Sequence, residues 1–196
     1  MPRLGMEPVR REALISAAIA EIGAVGSLDV TVARIAGRAG VSAALAHHYF
    51  GSKDRILIAA MRRILEDFRN AVNRRLKAAS TPRQRIEAIV EASFEPAQFD
   101  SAIVSAWLAF YLEAYRSPQA ARLLTIYARR LDSNLVHALR CLVAPSSVRI
   151  TAQGLASLID GLYIRAALQD RAPKREDAVQ LVLDYLALRL NSESPS

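Results

Sequence analysis

Apolar residues recur every three or four positions along almost the whole chain, and runs in which apolar and polar residues alternate are nearly absent. That period lays a continuous apolar stripe down one side of an α-helix, so the pattern predicts an all-α protein. Pro8 fits the first turn of a helix whose inward stripe is Ile15, Ala18, Ile19 and Ile22, with Gly26 suited to the position just past its end. Thr31 supplies a capping hydroxyl for a short second helix carrying Val32, Ile35, Ala36 and Ala39, which Gly40 ends. Ser42 opens a third helix through Leu45 and Tyr49, and Ser52 a long fourth through Ile56, Leu57, Met61, Ile64, Leu65 and Phe68.

Beyond Ala79 the start signals are spaced further apart. Ser80-Thr81-Pro82 opens one helix, Ser117-Pro118 another, and Ala144-Pro145-Ser146-Ser147 separates two more. A break at Arg171-Ala172-Pro173 precedes a last helix with Val179, Leu183 and Leu186 on one face, and residues 191–196 read as a polar tail. The organisation predicted is a small module over residues 1–75, a larger helical domain over 76–190, and a linking helix at about 53–78 that joins them.

Charge narrows the choice of partner. The net charge of +7 favours a polyanion, and from Val30 to Lys53 there is no acidic residue while Arg34, Arg38 and Lys53 are basic. The single cysteine, Cys141, excludes an internal disulfide, and no Cys/His spacing suits a structural zinc, which predicts a metal-free protein of a reducing cytoplasm. No apolar run approaches the ~18 residues needed to span a bilayer and no cleavable leader pattern opens the chain, so a soluble, unprocessed protein is expected.

Two short helices joined by a tight Gly-containing turn suit the DNA major groove, which admits one helix while the other braces it across the backbone. Here the turn is Ala39-Gly40-Val41-Ser42: Ala36 is small enough for a close crossing, and Val41 and Leu45 can fill the angle between the helices. This puts Ser42, Ala43, Ala44, His47 and His48 at the front of a recognition helix, with Arg34 and Arg38 assisting from the helix before it. Two alanine methyls fit thymine better than guanine, and imidazoles can meet a base edge or, protonated, a phosphate. His48 packing against the fourth helix is the competing role.

Thr31, Ile35-Ala36, Ala39-Gly40-Val41-Ser42, His48-Tyr49-Phe50 and Ser52-Lys53 together resemble the DNA-binding signature of TetR-type repressors. The resemblance implies phosphate contacts by Thr31, Tyr49 and Lys53. It also implies an all-helical, TetR-like fold of about nine helices. His47 stands where that family commonly has Tyr, so base reading or phosphate contact at this position departs from the family pattern.

Seven of the twelve aromatic residues fall between Phe94 and Tyr127. On a helix Trp107, Phe110 and Tyr111 share a face with Tyr115 a turn beyond, a stripe that suits a pocket for an apolar or cationic molecule and equally suits a core. Ala106-Trp107-Leu108-Ala109-Phe110, Arg129-Arg130-Leu131, Leu158-Ile159-Asp160-Gly161-Leu162 and Arg165-Ala166-Ala167-Leu168 resemble the choline-responsive branch of the TetR-type family. That resemblance implies control of choline uptake and of glycine betaine synthesis from choline, with choline as inducer and no cofactor. A trimethylammonium group donates no hydrogen bond, so aromatic faces must recognise it. Trp107 and Tyr111 lead as cage residues, followed by Phe110, Tyr127 and Tyr163. Asp160 is a counter-ion or the partner of an arginine. Another small apolar or cationic effector is the alternative.

Gly154 and Gly161 lie seven residues apart on nearly one face with Leu158, and each weakens a helix unless another helix must come close. The resemblance implies that this helix and the last one, with Leu183 and Leu186, pair with their copies in a four-helix homodimer interface. Two recognition helices on one face of a duplex then predict a pseudo-palindromic operator. An enzyme is the rival class. Cys141 with His137 one turn earlier has no third group to orient it, and a lone cysteine beside Leu139 and Leu142 reads as packing, so no catalysis is expected.

Overall fold

The computed structural model describes residues 5–168 and 173–192. These form nine helices and, among the described residues, no strand. They are α1 (Met6–Val25), α2 (Val32–Arg38), α3 (Ala43–Phe50), α4 (Lys53–Ala78), α5 (Pro82–Ser93), α6 (Ser101–Glu113), α7 (Pro118–Leu139), α8 (Val148–Leu168) and α9 (Arg175–Asn191). Residues 2–4, Arg171, Ala172 and 193–196, on which part of the sequence reading falls, lie outside the described set.

The hydroxyls that mark helix starts in the sequence do so by accepting backbone N–H groups that have no partner inside the helix. Thr31 Oγ1 accepts from Arg34 N and Ser42 Oγ from Leu45 N, both at 3.2 Å, and Ser52 Oγ accepts from Arg55 N at 3.3 Å. At Thr81 the cap is reciprocal, because Gln84 Oε1 accepts from Thr81 N while Thr81 Oγ1 accepts from Gln84 N. Gly26 and Gly40 take φ of 70° and 68°, the left-handed conformation that ends α1 and turns the chain after α2. Between α5 and α6 the chain breaks at residues 94–100, around Pro96, which the sequence reading left unmarked.

The chain packs as two units. One comprises Met1–Glu66 with Ser101–Leu124, the other Asp67–Asp100 with Thr125–Ser196. The contiguous division expected near Arg75 is therefore not the packing boundary: α6 and the opening of α7 belong with the first three helices. The cause is Gly23, where a Cβ would run into the backbone of Ala102, so α6 lies against α1 at a distance only glycine permits. The buried stripe of α1 is Leu14, Ala17, Ala18, Glu21 and Ile22, with the expected Ile15 and Ile19 only half-buried, because α2, α3 and α6 all pack on this helix.

In the second unit, α8 packs on α9 and α5 on α9. Ile86, Ile89, Leu135, Leu139, Leu155, Ile159, Val182 and Leu186 form its core. Arg175 Nε donates to the carbonyl of Phe94 at 2.7 Å, tying α9 to the end of α5. The inward face of α9 is Ala178, Val182 and Leu186, so Val179 and Leu183 from the expected stripe are half-buried beside it.

Candidate functional site

The first unit presents α2, a four-residue turn and α3. Ala39 N donates to Ile35 O and Val41 N to Ala36 O, both at 3.0 Å, so the turn occupies carbonyls at the end of α2, and α3 is held by its own cap. Ala46 and Phe50 anchor α3 inward, while Val41 and Leu45 are half-buried in the angle. The opposite face carries Ser42, Ala44, His47 and His48 exposed, with Ala43 and Tyr49 half-exposed at its margins. His48 is therefore not packed into α4; its ring stands 5.5 Å from that of Tyr49. His47 Nδ1 lies 3.5 Å from Gly51 O, leaving its other ring nitrogen facing outward chemistry. Thr31 is exposed at the start of α2, and its hydroxyl, already accepting from Arg34 N, keeps a proton to donate to a phosphate. Lys53 is the first residue of α4.

The positive charge expected on α2 is partly cancelled from a helix the local sequence does not show. Glu21 of α1, whose side chain is 6% exposed, accepts from Arg34 Nε at 2.9 Å and from Arg38 Nε at 2.6 Å. The hydrogen bond from Arg38, supported by the charge of Arg34, holds this carboxyl below its ordinary pKa against the opposing cost of burial. Arg34 and Arg38 thus brace α2 on α1, and the uninterrupted positive stretch from Val30 to Lys53 exists in sequence but not in space.

The aromatic residues expected to bind an effector fall in both units. In the first, Trp107 and Phe110 are buried on α6, and the Trp107 ring lies 6.0 Å from that of half-buried Tyr111. Tyr115 leaves the stripe, because α6 ends at Glu113 and Tyr115 is 92% exposed. In the second unit, Phe94, Phe99 and Tyr163 form a mutual cluster with ring separations of 5.2, 5.9 and 5.5 Å. The Tyr163 hydroxyl donates to Ser93 O, which fixes the ring. Phe94 and Phe99 were not among the expected ligand residues. Tyr127 stands edge-on to Phe68 at 5.3 Å, and Asp160 is half-buried three residues before Tyr163.

On α8 and α9 the second unit leaves apolar side chains uncovered: Ile150, Ile164 and Leu168, with Leu181 and Leu188. Gly161 lies in their midst, and a Cβ there would meet nothing. Leu158 and Leu183 are half-buried. Two expected interface residues need correction. Leu186 is 1% exposed within its own chain, and the close neighbour that Gly154 accommodates is Tyr185 of the same chain. Cys141 is also corrected: it lies exposed in the turn after α7, not packed in a helix.

Residues 14–60 match the model of the bacterial regulatory proteins of the tetR family, and residues 82–191 match that of the C-terminal region of BetI-type transcriptional repressors. The chain belongs to the BetI-type branch of the TetR family. It is 51% identical to the HTH-type transcriptional regulator BetI of Brucella suis over 98% of both chains. To BetI of Rhizobium meliloti it is 50% identical over 98% of this chain and 95% of that protein. Among solved structures, a transcriptional regulator from Rhodococcus sp. Rha1 matches with a TM-score of 0.82 at 20% identity, covering 95% of this chain and 98% of that one. A regulator from Saccharomonospora viridis, solved in complex with choline, matches with a TM-score of 0.81 at 24% identity, covering 90% and 95%.

A BetI-type regulator is a DNA-binding transcriptional repressor, and the first matched range encloses Thr31 to Lys53 entire. The second begins at Pro82, the first residue of α5, and ends with Asn191, the last of α9. Sequence reasoning missed Glu21 because its partners lie 13 and 17 residues away on another helix. An acidic residue inside an apolar stripe was the available signal. Among the described residues no helix is long and apolar enough to cross a membrane.

Proposed function

We propose that this BetI-type repressor binds a pseudo-palindromic operator as a homodimer in the cytoplasm and is induced by choline. The observation that carries the DNA reading is the outward face of α3, where Ala44, His47 and His48 are exposed between the Thr31 and Lys53 helix starts. Ala43, Ala44, His47 and His48 read base edges, and Thr31, Ser42, Tyr49 and Lys53 hold phosphates, with Arg34 and Arg38 lending what charge Glu21 leaves them. The uncovered apolar side chains of α8 and α9, with Gly161 among them, support dimerisation through Ile150, Leu158, Ile164, Leu181 and Leu188. Leu183 flanks this surface.

The relatives' identity as BetI and the choline-bound fold neighbour support choline as the effector. The half-buried rings lead as cage candidates, Tyr111 beside Trp107 in the first unit, and Phe99 beside Tyr163 and Tyr127 beside Phe68 in the second, with Phe110 and Asp160 behind them. Footprinting of the protein on its own upstream region, with and without choline, tests the whole reading. Protection of two half-sites one helical turn or a multiple apart, released by choline, is expected. Calorimetric choline titration of wild type, Tyr111→Leu and Phe99→Leu then assigns the cage, each true member costing about 0.5 to 2 kcal/mol. Protection that choline leaves unaltered would exclude it as inducer.

A further inference from the structure

A cleft of about 290 Å³ opens in the first unit, with walls from α1, the end of α3, the first turns of α4 and the start of α7. It is lined by Arg11, Arg55 and Arg62 together with Tyr49, Phe50 and Gln119. Tyr49 follows His48 in α3 and so points about 100° round the helix from it, which sets this cleft to the side of the outward reading face.

Arg11 is fixed in place. Its Nη1 donates to Tyr49 O at 2.5 Å, its guanidinium lies 4.5 Å over the Phe50 ring, and Glu7 stands 3.8 Å away. Arg55 and Arg62 are exposed, and among the described residues neither guanidinium has a carboxylate partner. Seven residues apart, they stand on one side of α4, two turns from each other. Arg55 Nη1 reaches back over Gly51, 3.5 Å from where a Cβ would sit. Gln119 belongs to the first turn of α7, the positive end of a helix dipole. Three guanidiniums facing one concavity repel one another, and Glu7 alone is too little and too distant to offset them.

We propose that this cleft binds a phosphate group. A dianionic phosphate matches the excess charge better than a single carboxylate does, and the planar guanidinium fork presents paired N–H groups to its oxygens. The phosphate is a terminal one on a free small molecule, because a link of a DNA backbone is a phosphodiester with a single charge and matches the excess no better than a carboxylate does. The site does not depend on choline being the effector.

The test uses the full-length chain as wild type, Arg62→Gln, Arg55→Gln and Arg62→Lys, all exposed positions outside the core. Inorganic phosphate and pyrophosphate are titrated by calorimetry without DNA, and the salt dependence of binding to a short duplex is measured in parallel. Loss of anion affinity by about tenfold or more in Arg62→Gln, partly restored in Arg62→Lys, assigns a free phosphate. A log–log salt slope reduced by about 0.9 in Arg62→Gln with anion affinity unchanged assigns the arginine to the DNA backbone and overturns the proposal. Anion binding and salt slope both unchanged in Arg62→Gln and Arg55→Gln overturn the proposal. Choline affinity, measured on the same samples, bears only on the effector reading.

Discussion

Arg38 Nε lies 2.6 Å from Oε1 of Glu21, a carboxylate on α1 almost sealed from water. Arg34 holds the other oxygen of the same group, so one buried charge positions both arginines of α2. The helix that braces the recognition helix is thereby locked to α1 through electrostatics as well as through Ile35 and Ala36.

This lock should be pH-sensitive. The folded-state pKa of Glu21 is depressed, so its stabilising contribution is complete above the unfolded carboxylate value of about 4.3 and is lost as pH falls through the lower folded value. Glu21→Gln should lower Tm at pH 7, and the gap to wild type should close on acidification toward pH 3. A constant gap across that range, read by thermal melts, would contradict it.

His47 and Lys53 should separate base reading from phosphate holding. His47→Ala is expected to cost about 1 to 3 kcal/mol on the specific duplex and little on a scrambled one. Lys53→Ala should weaken both and flatten the salt slope. Titrating each variant against the two duplexes checks this; equal losses for His47→Ala would remove it from base reading.

Leu186 and Leu188 make opposite predictions although they are two residues apart. Leu186→Ala opens a cavity in the protomer and should cost about 2 to 5 kcal/mol of unfolding free energy in urea. Leu188→Asp places a charge on an uncovered side chain and should shift sedimentation from dimer toward monomer, leaving the helical content intact.

Gly23→Val should destabilise the fold by about 1 to 3 kcal/mol, because the added side chain meets the backbone of Ala102, which cannot move aside as a flexible side chain would. Gly26→Ala strains only a left-handed residue with open space around it, at about 1 to 2 kcal/mol. Denaturant titration of the two variants, with α1 as their shared helix, compares the costs directly.

Local physics made most of the helical ladder legible. Period, cap hydroxyls and glycine punctuation act within four residues of chain, so Thr31, Ser42, Ser52, Thr81 and Gly40 marked boundaries the structure keeps. The DNA-reading segment was legible for the same reason, being two short helices and a turn whose instructions are contiguous. Periodicity places a stripe on a helix but does not say what covers it. Only the tertiary structure decided that Leu186 faces inward, that Gly154 yields to Tyr185 of its own chain, that Phe94, Phe99 and Tyr163 meet, and that Glu21 partly offsets the charge of α2. Each depends on which distant helix arrives at a given face, and burial and charge pairing are set by that arrival.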